Sequence, residues 1–219
     1  MSETSEHATL EPDAAEGPVE ADPHPAEPTE EELRRRDEAL AQVVTFGDPV
    51  LRSRASEIRE FGSALAAEAE RMIAIMRDAM GVGLAATQLG VLRRLLVFQA
   101  GPDASPTAVA NPVIEWSSED DLATAAEGCL SLPRVIVEVE RPLHLRVSGV
   151  DPQGEPLVIE ASGLEARVLQ HEIDHLDGVL ILDRTARDQR KGAMRALREG
   201  IAYAPDDDED EGGEASGDG

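Results

Sequence analysis

The sequence predicts an α+β fold: short antiparallel strands and sheets around a central histidine-bearing helix, followed by a C-terminal helix. Three observations carry that expectation. Residues 135–151, VIVEVERPLHLRVSGVD, alternate apolar and polar side chains as two strands hinged near Pro142. The Asp151-Pro152-Gln153-Gly154 turn then leads into EPLVIEAS, 155–162, a natural partner for the strand before it. After Gly163 the periodicity changes from two to helical, with Leu164, Val168, Ile173 and Leu176 as the apolar positions.

The elements follow in order. Residues 1–40 carry 13 acidic and 3 basic side chains and almost no large apolar residue, and they are read as an acidic disordered tail. The pattern changes at Gln42: QVVTFGDPVLRS holds a short β-branched run and a Gly47-Asp48-Pro49 turn. Residues 57–80 read as an amphipathic helix through Ile58, Leu65, Met72, Ile75, Met76 and Met80, ended by Gly81 and Gly83. LRRLLVFQ (92–99) suits a strand and GPDASP (101–106) a loop. AVANPVIEW (108–116) is a further strand, interrupted at Asn111-Pro112. VLIL (179–182) is short and apolar, and 184–202 form a final helix. Residues 205–219 carry 8 acidic and no basic side chains and read as a second acidic disordered tail. One folded domain, 41–204, remains.

Composition narrows the function classes. The formal net charge of −25 lies mostly in the tails, leaving −7 on the folded part. No run approaches eighteen apolar residues, so no membrane span is expected. The first residues lack the basic start and apolar stretch of a secretory signal. One cysteine cannot form an internal disulfide and suits a reducing compartment, so a cytoplasmic protein is expected.

The chemistry begins at His171-Glu172-Ile173-Asp174-His175. Positions i and i+4 share one helix face, so both imidazoles can reach one ion. Glu172, one residue round from His171, can take a proton beside that ion. Two ligands do not complete a catalytic site. A zinc endopeptidase usually finds its third ligand downstream, but no histidine follows His175, and Asp177, Asp183, Asp188 and Glu199 stand in no ligand context. Upstream, Cys129 follows a glycine that permits close backbone approach, and a thiolate ligand is the better reading than a small buried hydrophobe. GVGLAATQ (81–88) is nearly free of side-chain bulk and ends on Gln88, whose carboxamide can donate to a developing oxyanion. As a flexible turn alone it would explain the glycines and leave Gln88 without a role.

GVGLAATQ (81–88), EGCLS (127–131) and QHEIDH (170–175), in that order, resemble the three signatures of the peptide deformylases, and GDPVLR (47–52) resembles that family's N-terminal stretch. The likeness spans about residues 42–200. It implies that Cys129, His171 and His175 hold the metal and that Glu172 is general base and acid. Gln88 and the Leu130 backbone N–H would stabilise the oxyanion. The implied reaction releases formate from the N-terminal formylmethionine of new polypeptides, with N-formylmethionyl nascent peptides as partners. Val82, Leu164 and Val168 are the expected lining of the methionine pocket, and bare backbone at Gly83 would admit the formyl group and pair with substrate as an added strand. Fe²⁺ is the implied ion, with zinc or another divalent metal as a possible occupant. Arg141 is expected to pair with Glu127.

Two other classes compete with this reading. An endopeptidase leaves EGCLS and GVGLAATQ unexplained, and a non-enzymatic scaffold should lack Glu172, Gln88 or a ligand, all of which are present. On the last helix Arg184, Arg187, Lys191, Arg195 and Arg198 form a basic stripe. It is either a solvated face or, by analogy with enzymes that meet nascent chains, a ribosome contact.

Overall fold

A computed structural model of the protein describes residues 28–205. The α+β expectation holds. A five-stranded antiparallel sheet has the order β1-β2-β3-β6-β7, and β4 and β5 form a separate antiparallel pair. The strands are β1 (Gly83–Ala85), β2 (Leu95–Phe98), β3 (Thr107–Ser117), β4 (Leu122–Cys129), β5 (Leu132–Pro142), β6 (His144–Val150) and β7 (Pro156–Ser162). The helices are α1 (Glu30–Leu40), α2 (Ser63–Asp78), α3 (Gly163–Leu176) and α4 (Arg187–Glu199). No helix among the described residues is long and apolar enough to cross a membrane.

Several boundaries differ from the sequence reading. Residues 30–40 are helical, not disordered. Thr29 and Glu32 close a reciprocal capping box, Arg34 pairs with Glu31 and Glu38 one turn either way, and Ala39 is buried. Local capping and tertiary contact therefore outweigh a composition that looks unstructured. Residues 1–27 and 206–219, the rest of the two acidic tails, lie outside the described residues. The α2 helix starts at Ser63, and Ser56 ahead of it is bridged to Arg93. Arg184 lies ahead of α4, and VLIL ends in a 3₁₀ turn, Ile181–Asp183.

Two strands escaped the sequence reading. β1 is three residues long and lies in the glycine-alanine segment, where bulk is missing and alternation cannot show. β4, LATAAEGC, is mostly exposed alanine, threonine and glycine, and it is a strand because β5 pairs with it from Leu122↔Pro142 to Gly128↔Ile136. Long-range pairing decides such segments, not intrinsic preference.

Three apolar clusters hold these elements. The first joins α1 and α2 to β1 and β2, the second packs Val168, Leu169, Ile173 and Leu176 of α3 on the large sheet, and the third joins β5 to α4. The α3 helix is thus central, buried on most of its circumference, and its polar residues Gln170, Glu172, Asp174 and His175 are carried inside with it.

Candidate metal centre

The β4 strand ends on Cys129, and α3 runs beside it. This brings the Cys129 thiol and the rings of His171 and His175 together, with one ligand atom from each all within 4.8 Å of one another. Cys129 Sγ lies 3.1 Å from His175 Nε2. The donor set, one sulfur and two imidazole nitrogens, is the kind that holds a borderline divalent ion with a position left open. Downstream carboxylates are engaged elsewhere: Asp177 by Arg94, Asp183 by Arg52, and Glu199 by Arg195.

The rings are oriented from behind. His171 Nδ1 lies 3.1 Å from Glu127 Oε2, which leaves Nε2 for the cluster. Glu127 itself accepts from Nε and Nη2 of Arg141, at 2.7 and 3.0 Å, and from Arg167 at 2.6 Å. Arg141 also donates to Asp174 at 2.9 Å, and Arg184 closes the network on Asp174 at 2.6 Å. The Arg141–Glu127 pair expected from sequence is present. The contacts of Glu127 with His171 and of Asp174 with two arginines were not foreseen. A carboxylate two residues before a candidate thiolate was the available signal, and Arg184, read as part of a surface stripe, is exposed but spends its guanidinium on buried Asp174.

Protonation follows this wiring. Burial tends to raise the Glu127 carboxyl, but hydrogen bonds from His171 and Arg141 hold it down at about 2. Burial also opposes charge on His171, yet Cys129 and Glu127 push that ring well above its usual range. The same neighbours that favour a proton there favour a metal cation at the cluster. His175 is held well below its usual range by burial, with His171 and Arg141 adding to the effect, and so is a neutral nitrogen donor.

Glu172 is the contrasting carboxylate. Burial pushes it up to about 7, against the pull of His171 and Arg141. Its Oε2 is buried without a hydrogen-bond partner among the described residues. A buried carboxylate oxygen left open beside three donor atoms has its partner in solvent or substrate. Gly83 is what makes room for it: a Cβ there would lie 2.3 Å from Glu172 Oε1. Gln88 is locked by its own oxygen, which accepts the Ala85 N–H at 2.8 Å. Its NH₂ therefore faces Cys129 Sγ at 3.7 Å and Ser131 Oγ at 3.4 Å. Leu130 and Ser131 form the tight turn between β4 and β5.

A largely apolar cavity of about 670 Å³ opens over this cluster. Val82, Gly83, Leu164 and Val168 all line it, as do Gln88, Cys129, Leu130, His171 and Glu172. Val82 and Leu164 are exposed at its rim and Val168 is buried. Of the ligand, catalytic and pocket residues expected from sequence, only His175 lies behind the wall.

Residues 40–191 match the family model described as polypeptide deformylase. The chain is 48% identical over 162 residues to peptide deformylase 1 of Corynebacterium glutamicum, covering 73% of this chain and 95% of that protein. It is 47% identical over 146 residues to the peptide deformylase of Thermotoga neapolitana, covering 66% of this chain and 87% of that one. Among solved structures, the peptide deformylase of Thermus thermophilus superposes with a TM-score of 0.67 at 42% identity, covering 72% of this chain and 93% of that one. The Synechococcus elongatus enzyme in complex with actinonin superposes with a TM-score of 0.67 at 38% identity, covering 74% of this chain and 88% of that one.

Proposed function

The chain belongs to the polypeptide deformylase family, and from that premise we propose that Cys129, His171 and His175 hold a divalent metal beside which Glu172 moves the proton. Members of this family are metal-dependent hydrolases that remove the formyl group from the N-terminal formylmethionine of newly made polypeptides, and this chain is such an enzyme. The observation that carries the residue assignment is the cluster itself: three donor atoms within 4.8 Å of one another, Cys129 and His171 on the cavity wall and His175 behind it, beside a buried carboxylate oxygen without a partner among the described residues.

A metal held there supplies Lewis acidity toward the formyl oxygen and a low-pKa nucleophile. The chain does the rest. Glu172, raised to about 7, can accept a proton and return it to the leaving amine near neutral pH. The Gln88 NH₂ and the Leu130 N–H stabilise the developing oxyanion. Val82, Leu164 and Val168 receive the methionine side chain. β1 pairs with β2 along one side only, so its other edge at Gly83 can take the substrate as an added strand.

The native ion of this proposal is Fe²⁺, with zinc as an alternative occupant, because thiolate and imidazole suit both. A cytoplasmic location and N-formylmethionyl nascent peptides as partners complete it. Protein purified without oxygen should hydrolyse formyl-Met-Ala-Ser in proportion to its metal content. Glu172→Ala should keep its metal and lose at least about 100-fold in rate. A variant that stays active would overturn the role of Glu172, and metal analysis decides between iron and zinc.

Contact with the ribosome through Arg187, Lys191, Arg195 and Arg198 belongs to the same proposal. Deletion of 205–219 should raise co-sedimentation with ribosomes at low salt, since eight acidic side chains leave with it. Unchanged co-sedimentation counts against that contact.

A further inference from the structure

After α4 the chain turns back along β5. Tyr203 pairs in parallel with Val135: its N–H donates to the Arg134 carbonyl at 2.9 Å, and its carbonyl accepts the Ile136 N–H at 2.8 Å. The docking point is a bulge, where the register jumps between Gly128↔Ile136 and Cys129↔Leu132. Arg134, inside the bulge, holds a φ of 61°, a strained conformation for a residue with a side chain. Its guanidinium donates to the Gly200 carbonyl at 2.5 Å, at the end of α4. The Tyr203 ring crosses α4 at Gly192, where a Cβ would lie 2.3 Å from Tyr203 Cε2. Bulge, cap and bare glycine together define one position for residues 201–205.

That position borders the candidate site. Ala202, Tyr203 and Ala204 line the same cavity as Cys129 and Glu172, next to Arg134 and Ile136. At about 670 Å³ the cavity is of the size that holds a drug-sized ligand, and one methionine side chain fills only part of it. Residues 201–205 lie beyond the 40–191 segment that matches the family model.

We propose that residues 201–205, clamped by Tyr203 between the β5 bulge and α4, form a specificity wall that contacts the peptide residues following formylmethionine. The proposal rests on the deformylase reading above. The ligand is an N-formylated peptide of at least three residues, lying extended from the Cys129–His171–His175 cluster toward residues 201–205. Alanines at 202 and 204 keep that part of the cavity open, so side chains added there narrow it for long substrates first.

The test compares formyl-Met amide with formyl-Met-Ala-Ser on the metal-loaded full chain. Tyr203→Ala should raise KM for the longer peptide about tenfold with little change in kcat, the mark of lost ground-state binding. The selectivity for the longer peptide over the amide falls accordingly. Ala202→Trp alters an exposed position, leaves the clamp intact, and should lower the same ratio by crowding. If both variants change the two substrates in parallel, or neither changes the ratio, the wall is structural only and the proposal is overturned. If Tyr203→Ala does not fold, Ala202→Trp decides alone. A wild-type chain inactive on both substrates sinks the deformylase reading itself, a different outcome.

Discussion

At the level of single residues the site is built from contrasts between like groups. Two buried glutamates sit within one cluster, and their partners set them apart: Glu127 is held at about 2 by His171 and Arg141, while Glu172 is pushed up to about 7 by burial. The first stays a carboxylate and orients a ring; the second can exchange a proton. Gly83 leaves room for that second carboxylate. The sequence reading assigned its bareness to the substrate, but the closer neighbour is the Glu172 carboxylate. Gly83→Ala should therefore displace Glu172 and lower kcat by about 100-fold, the scale of a lost general base, with thermal stability changed far less. Wild-type kcat in that variant would show that Glu172 tolerates the shift.

At the level of elements, the candidate site depends on a strand and a helix that share charges. Arg141 on β5 bonds Glu127 on β4 and Asp174 on α3, and all three are buried. Arg141→Ala takes from Glu127 and from Asp174 one of the two arginines that each is paired with, and should cost about 3–5 kcal/mol in urea unfolding. Glu127→Gln keeps the shape of the network but removes the charge behind His171. It should weaken metal binding about 10–100-fold in a chelator competition. Equal affinity in that variant would confine Glu127 to a structural part. β4 also shows why this site was only half legible in the sequence. His171 and His175 announce themselves by spacing within one helix, whereas Glu127 acts on His171 across 44 residues through pairing that alanine-rich β4 does not advertise.

Over the whole molecule, distant segments are tied by charge as well as by the three apolar clusters. Arg52 near the N-terminal side pairs with Asp183, 131 residues later, and Asp183 also accepts the Leu180 N–H. Burial works against that carboxylate, but Arg52 and Leu180 hold it below its ordinary 3.8. A lowered folded-state value means stability present above the unfolded value and lost as pH falls through the folded one. The urea midpoints of wild type and Asp183→Asn should thus differ most near pH 6 and draw together as pH falls from about 3.8 through the lower folded-state value. The gap should shrink in high salt, because the pair is partly exposed. A gap that widens on acidification would assign the shift to other groups.

The sequence by itself determined the fold class, the strands hinged at Pro142, the central helix and the three segments that meet in the cavity. Those are local properties: periodicity, turn residues and i, i+4 spacing act over a few residues and are written in order along the chain. The tertiary structure alone decided that residues 30–40 are helical, that GLA and LATAAEGC are strands, that Gly83 makes room for Glu172, and that Tyr203 closes the cavity wall. All but the first depend on a partner far away in sequence, and the 30–40 helix joins local capping to the burial of Ala39 among α2 residues. Small or polar residues carry no periodic signal of their own, and their conformation is set by whatever the rest of the fold packs against them.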